Sequence, residues 1–192
     1  MTLAAGRRRG LLASLKRGWS EDRASQIVEL ALSLPVLVLF VVGIFDFSGA
    51  LTLKQKLTNA AREGARVSAS DPASDMYATV PVSVNDAAQV VDNYLASEKI
   101  NDCGLGPTLP APAQTNLTWT YTATGNGCPG SGITVAINRG CSTLENGINL
   151  IGTCVTITYA YKWQFNSVSG LVGTRVVGPA TLTTTAEAFN EN

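Results

Sequence analysis

Apolar and polar positions divide this chain into three stretches with different periodicities. From Leu30 to Phe45 it reads LALSLPVLVLFVVGIF, sixteen residues without a charge, preceded by Ile27, Val28 and Glu29 and closed by Asp46. A membrane-spanning helix needs about 20 mostly apolar residues, so a span here draws on both flanks and holds Glu29 or Asp46 near a membrane face. Pro35 lies inside the run, where loss of one helix hydrogen bond predicts a kink rather than an end. Beyond Ala50 the apolar positions become periodic. Leu53, Leu57, Ala60 and Gly64 recur at spacings of four, three and four, with Lys54, Arg62, Glu63 and Arg66 on other faces. One helix from about Ile27 to about Ser70 is predicted, roughly 65 Å long at ~1.5 Å per residue.

Asp71-Pro72-Ala73-Ser74-Asp75 breaks that helix, and Thr79 to Pro81 reads as connecting chain. A second helix follows, with Ser83 and Asp86 as a capping-box signature and Val84, Ala87, Ala88, Val91, Tyr94 and Leu95 as its apolar stripe, ending near Lys99. After a Gly- and Pro-rich loop from Gly104 to Gln114 the period changes to two. Leu117, Trp119 and Tyr121 alternate with threonines, and Ile133, Val135 and Ile137 alternate before an Asn138-Arg139-Gly140 turn. Val155, Ile157, Tyr159, Tyr161, Trp163 and Phe165 form the strongest strand pattern, and Ala180 to Phe189 reads as a closing strand. The fold class is α+β: a long N-terminal transmembrane helix continuing into an exported domain with a second helix and an antiparallel β-sheet.

Charge adds direction. Fourteen basic residues balance fourteen acidic ones, so no global excess points to nucleic acid. Six of the basic residues, Arg7, Arg8, Arg9, Lys16, Arg17 and Arg23, precede the apolar run, which places the N-terminus in the cytoplasm and the remainder outside. Lys54, Lys56, Arg62 and Arg66 on the far side weaken that vote without reversing it. Two other readings of the apolar run exist. A buried core helix leaves the basic leader unexplained. A secretory signal cleaved after Ala50, at Ser48-Gly49-Ala50, conflicts with a helical pattern that continues past the cut.

Candidate chemistry is sparse. Histidine is absent, which removes the commonest general base and metal ligand, so the chain is not expected to be an enzyme, to hold a metal or cofactor, or to take a small-molecule substrate. An Asp71 and Asp75 pair converging on a metal would revive the enzymatic alternative. Cys103, Cys128, Cys141 and Cys154 are even in number, contain no C-x-x-C pair and all follow the apolar run. A disulfide framework in an oxidising compartment outranks a zinc site, and three pairings are open. The alternating aromatics read as core rather than a stacking platform. Asn116-Leu117-Thr118 and Gly104-Leu105-Gly106 lack the context that would give a sequon or a phosphate loop meaning.

The stretch SQIVELALSLPVLVLFVVGIFDFSGALTLKQKLTNAAREGARVSA resembles the N-terminal region of TadE-like proteins, minor pilin-like components of the tight-adherence (Flp, type IVc) pilus system. The likeness rests on Glu29 after a polar leader, Leu34-Pro35, the Gly43 to Phe47 exit, and Thr58-Asn59-Ala60-Ala61-Arg62-Glu63-Gly64-Ala65-Arg66. It implies a bacterial inner-membrane protein, single-pass, with a periplasmic or extracellular C-terminal domain. It also implies trimming by a prepilin peptidase between Ala24 and Ser25, which leaves Glu29 at the fifth mature position. Ala24 stands where Gly is commoner in such proteins. On this resemblance residues 1–24 are a cleaved leader, 25–70 the transmembrane and projecting helix, and 71–192 the exported domain. Glu29 would pair with the terminal amine of a neighbouring subunit during assembly, or simply be solvated among headgroups; Asp46 is expected to be solvated in that way. Partners would be the membrane, the peptidase and other pilin and pilin-like subunits, with adhesion as the outcome. Ala60, Ala61, Gly64 and Ala65 are the small residues that admit close helix packing. The tail Thr185-Ala186-Glu187-Ala188-Phe189-Asn190-Glu191 keeps a family-like frame, with Phe189 where Arg is usual.

Overall fold

A computed structural model describes residues 9–125, 127–145, 147–163 and 181–190, and of these the side chains from residue 25 onward except at 73, 143–145 and 148. The chain has a long N-terminal apolar helix, a second helix and an antiparallel five-stranded sheet, an α+β fold. Helix α1 runs Arg9–Ser70 without a break and passes through Pro35, starting well before the residue where hydrophobic periodicity placed its beginning. A short 3₁₀ helix, Ala73–Tyr77, and helix α2, Val82–Ser97, follow. The strands are β1 Ala113–Thr115, β2 Thr118–Ala123, β3 Ile133–Glu145, β4 Ile148–Ala160 and β5 Thr181–Phe189, in spatial order β1-β2-β3-β4-β5 with every neighbour antiparallel. Two compact units divide at Phe45 and Asp46.

In the first unit, the apolar side chains from Ile27 to Phe45 are exposed almost all round; Leu32 and Phe45 reach 72% and 74%. Residues 25–70 of α1 carry a stretch long and apolar enough to cross a membrane. Exposure on every side is what a helix in lipid shows, and a surface helix of a water-soluble domain would have hidden one stripe.

In the second unit, α1 changes character. Leu57, Ala60, Ala61, Gly64, Ala65 and Ser68 are fully buried at helical spacing, while Asn59, Arg62 and Arg66 stay in water. Gly64 shows how tightly this stripe is covered. A Cβ added there would sit 2.8 Å from Val91 Cγ2 and 3.3 Å from the Ala87 carbonyl on α2, and 3.8 Å from Val155 Cγ1 on β4. The helix is therefore packed by α2 and the sheet at the same point. Trp119, Tyr121, Ile133, Val135, Ile137, Val155 and Ile157 supply the sheet's share of the core, on the alternating positions that a half-buried strand dictates.

Four details depart from the sequence pattern. Ser83 does not cap α2 by its side chain; its backbone N–H donates to Asp75 Oδ2 at 2.8 Å, so the cap comes from the 3₁₀ helix. Asn138-Arg139-Gly140 is not a turn but a register shift within β3, which runs on to Glu145. The hairpin closes where Glu145 pairs with Ile148, with Gly147 at φ 82°. Strand β4 consequently starts seven residues earlier than the alternation from Val155 indicated and ends at Ala160, short of Tyr161 and Trp163; Phe165 lies outside the described residues.

The space at Gly64 yields a test. Gly64→Val forces branched carbons into contact with Val91 and the Ala87 carbonyl, and we expect a loss of about 1–3 kcal/mol in denaturant unfolding of the detergent-solubilised chain. Asn59→Ala, on the exposed face, should stay within about 0.5 kcal/mol of the parent.

Candidate anchoring and assembly site

The residues marked by sequence lie along α1. Ala24 falls within the helix, with its side chain outside the described residues, and Ser25 and Glu29 are exposed. Ser33 bonds back to the Leu30 carbonyl at 3.2 Å, a local habit of hydroxyls in helices that uses no external partner. Ala60, Ala61, Gly64 and Ala65 are buried inside the chain's own core, against α2 and β4 as described above.

Asp46 departs from the expectation of a headgroup-solvated acid. It is only 6% exposed, because the Tyr161 hydroxyl reaches across to its carboxylate at 3.1 Å and to its carbonyl at 3.3 Å. Burial, this hydrogen bond and the Asp46 charge together push the Tyr161 phenol above its ordinary range. Gly49, one turn on, leaves room for the same ring: a Cβ there would stand 3.3 Å from the Tyr161 hydroxyl. The alternation predicts Tyr161 on the core face of a strand; it packs against the core just beyond the end of β4, and its phenol ties that chain to α1. No local pattern announces such a contact across 115 residues.

At the other end of α1 sits Arg139, 1% exposed. It donates to the Ser68 carbonyl, to the Asp71 carbonyl at 3.0 Å and to Thr153 Oγ1 at 3.1 Å. The last carbonyls of a helix lack intrahelical partners, so the guanidinium serves as a C-terminal cap delivered from the sheet. Burial lowers its pKa, opposed by the charges of Asp75 and Asp71. Those two acids therefore act through their charge on a cation of the chain itself.

A third cluster joins α2 to the loop after it. Asp92 is buried at 6% exposure beside Asp102, whose two oxygens accept from Gly104 N at 3.1 Å and Gly106 N at 3.4 Å. A Cβ on Gly106 would collide with the Asp92 carboxyl, so glycine is required for the loop to close there. Burial, then the Asp102 charge and a hydrogen bond to Asp102, hold the Asp92 carboxyl above the usual carboxylate range. Tyr159, whose hydroxyl donates to the Asn101 carbonyl at 3.1 Å, lies in the same field and is raised by burial and by Asp102. Tyr121, which donates to Asn85 Oδ1 at 2.7 Å, is pushed up to about 12 by burial.

The cysteines pair as Cys103–Cys128 and Cys141–Cys154, with Cα–Cα distances of 5.3 Å and 5.7 Å that suit disulfides. Glu187 joins Cys141 and Cys154 within 4.8 Å, but both sulfurs are bonded to each other, which leaves a single carboxylate. Among the described residues, grooves open to solvent include two of some size. One of about 460 Å³ is lined by uncharged residues between Thr115 and Gly140; the other, about 260 Å³, runs along α1 past Lys54, Gln55, Asn59 and Arg62. What this arrangement can do chemically is hold helices and loops in place.

Residues 24–66 match the family model described as TadE-like protein. The matched segment covers the apolar run, Asp46 and the buried small-residue stripe. No curated protein and no solved structure matches the chain.

The buried acid pair gives a pH prediction. Asp92 binds its proton more tightly folded than unfolded, so its contribution to stability is greatest below an unfolded pKa of about 3.9 and falls as pH rises through the raised folded value. Asp102 is the titratable group that faces it. Asp92→Asn should flatten the fall in melting temperature between about pH 4 and pH 7 and melt above the parent at pH 7. Circular dichroism melts of both proteins across that range read the difference.

Proposed function

We propose that this chain, carrying a TadE-like segment at residues 24–66, is a minor pilin-like component of a Tad (Flp, type IVc) pilus. It sits in the bacterial inner membrane through the first part of α1, its N-terminus cytoplasmic and its sheet domain periplasmic or extracellular, and it acts in pilus biogenesis and surface adhesion. The observation that carries this reading is the coincidence of the match with one helix that is exposed and apolar before Asp46 and half-buried after it.

On this reading residues 1–24 are a leader removed by a prepilin peptidase between Ala24 and Ser25, residues 25–70 the anchor and scaffold, and residues 71–192 the exported domain. Removal of the leader takes all six upstream basic residues and places a new amine one helical turn from Glu29. An unpaired acid near an apolar helix costs up to about 3 kcal/mol at mid-bilayer, so Glu29 gains from an amine offered by another pilin or pilin-like subunit. The two disulfides suit an oxidising space outside the cytoplasm. A conventional signal cut after Ala50 fits poorly, because it would remove Asp46, the acceptor of the Tyr161 hydroxyl, together with Ala50, which is itself buried.

Intact mass and N-terminal sequencing of the membrane-extracted protein should give a chain beginning at Ser25; a start at Leu51 rejects the proposal. Glu29→Ala should leave membrane levels of the subunit unchanged while reducing piliated cells about tenfold or more, since up to about 3 kcal/mol of pairing is lost. Normal piliation would remove Glu29 from the assembly mechanism.

A further inference from the structure

The contact between Tyr161 and Asp46 fixes more than a tertiary packing. Residues 25–45 number 21, and at ~1.5 Å per residue they cover roughly 31 Å, close to the about 30 Å of hydrocarbon in a bilayer. If that stretch spans, Asp46 is the first residue beyond the hydrocarbon. The Tyr161 hydroxyl, 3.1 Å from the Asp46 carboxylate, is then at the same depth. Trp163 stacks edge-on against Tyr161 with ring centroids 4.9 Å apart. The interfacial layer on each side of the hydrocarbon is about 5–8 Å thick, so a phenol held at its inner edge starts within that layer and brings the indole packed on it to the same boundary.

We propose that the corner formed by Tyr161, Lys162 and Trp163 rests in the phospholipid headgroup layer and holds the folded domain against the bilayer where α1 leaves it. This rests on the membrane-spanning reading above. The chemistry of the three side chains is that of an interfacial seat. Tyrosine and tryptophan present an apolar ring with one polar edge, which is why they gather at headgroup level. Lys162 is exposed between them and carries a cation on a flexible apolar stem that reaches lipid phosphates. Phe47, 59% exposed beside Asp46 on α1, adds an aromatic at the same boundary. The seat also accounts for Asp46 itself. A carboxylate at the hydrocarbon edge is poorly solvated by lipid, and the domain supplies it with a phenol donor. The sheet domain and the bilayer thus share one residue as their reference point.

The test uses the full chain with Trp19→Phe, reconstituted in vesicles of phosphatidylcholine and phosphatidylglycerol. Two tryptophans remain, and Trp119 is fully buried in the core, so a lipid-quenchable signal reports Trp163. Lipids with a headgroup nitroxide should quench roughly half of the emission and lipids with a nitroxide near the chain end clearly less, as an interfacial indole requires. Adding Trp163→Phe should abolish the quenching. Emission quenched by aqueous iodide and not by lipid overturns the seat, as does emission that neither reaches, since a protein partner then covers the corner. Flotation and carbonate extraction separate the two levels of failure. A chain that fails to float with the vesicles overturns the membrane-spanning reading, whereas one that floats with Trp163 unquenched by lipid overturns only the seat.

Discussion

Everything in the folded domain depends on covering one narrow stripe of α1. Ala60, Ala61, Gly64, Ala65 and Ser68 present almost no side-chain bulk, so apart from Leu57 the stripe buries little apolar area of its own. Their contribution is proximity. Because Gly64 and its neighbours are small, α2 and β4 both come within van der Waals reach of the same turn of helix. The area that stabilises the domain is supplied from the opposite side, by Trp119, Tyr121, Leu95, Ile133, Ile137 and Ile157, each fully buried. A bulkier helix face would have separated these large residues from one another and opened the core.

Polar groups then fix where this helix starts and stops within the domain. At its end, Arg139 binds the Ser68 and Asp71 carbonyls, and Asp71 and Asp75 offset the cost of burying its charge. Asp75 has a second duty, accepting the Ser83 backbone N–H at the start of α2. One cation and two carboxylates therefore link the end of the first helix, the start of the second and the register shift in β3. At the entrance, Tyr161 and Asp46 do the equivalent work. Between these two points α1 has no freedom to slide along the sheet, because a shift of one residue would unmake both ends.

The sequence showed what periodicity can show. The apolar run, the stripe after it, the stripe of α2 and the alternation at Trp119, Ile133 and Ile157 all express local geometry, and each is buried or exposed as its period required. What it hid were contacts between distant residues and breaks in register. The Asn138-Arg139-Gly140 triplet has turn composition, yet it continues a strand because Arg139 has a helix terminus to satisfy 71 residues away. Asp46 read as a solvated acid because nothing near it in sequence predicts a phenol donor from residue 161. The pairing of Glu145 with Ile148 is announced in sequence by an Asn-Gly dipeptide, the commonest of hairpin signals, beside which the alternation downstream is the stronger pattern. The cysteine pairing stayed open for the same reason as Arg139: spacing carries no information about which loops meet.

The position of the disulfides fits this division of labour. Neither bridge crosses from the sheet to α1; one closes a separation of 25 residues after α2, the other a separation of 13 residues at the register shift partway along the β3–β4 hairpin. On the chain-entropy account, loops of this length confer about 3 kcal/mol each, comparable with a few well-buried side chains. That stabilisation goes to the parts of the domain least supported by the helix stripe: the loop that carries Asp102 and Gly106, and the hairpin that extends past the last β2 partner at Asn138. The helix side of the domain is held by packing and by Arg139, the far side by covalent bonds. Such an arrangement lets α1 serve as a scaffold for the sheet, while the loop and hairpin keep their shape with little help from it.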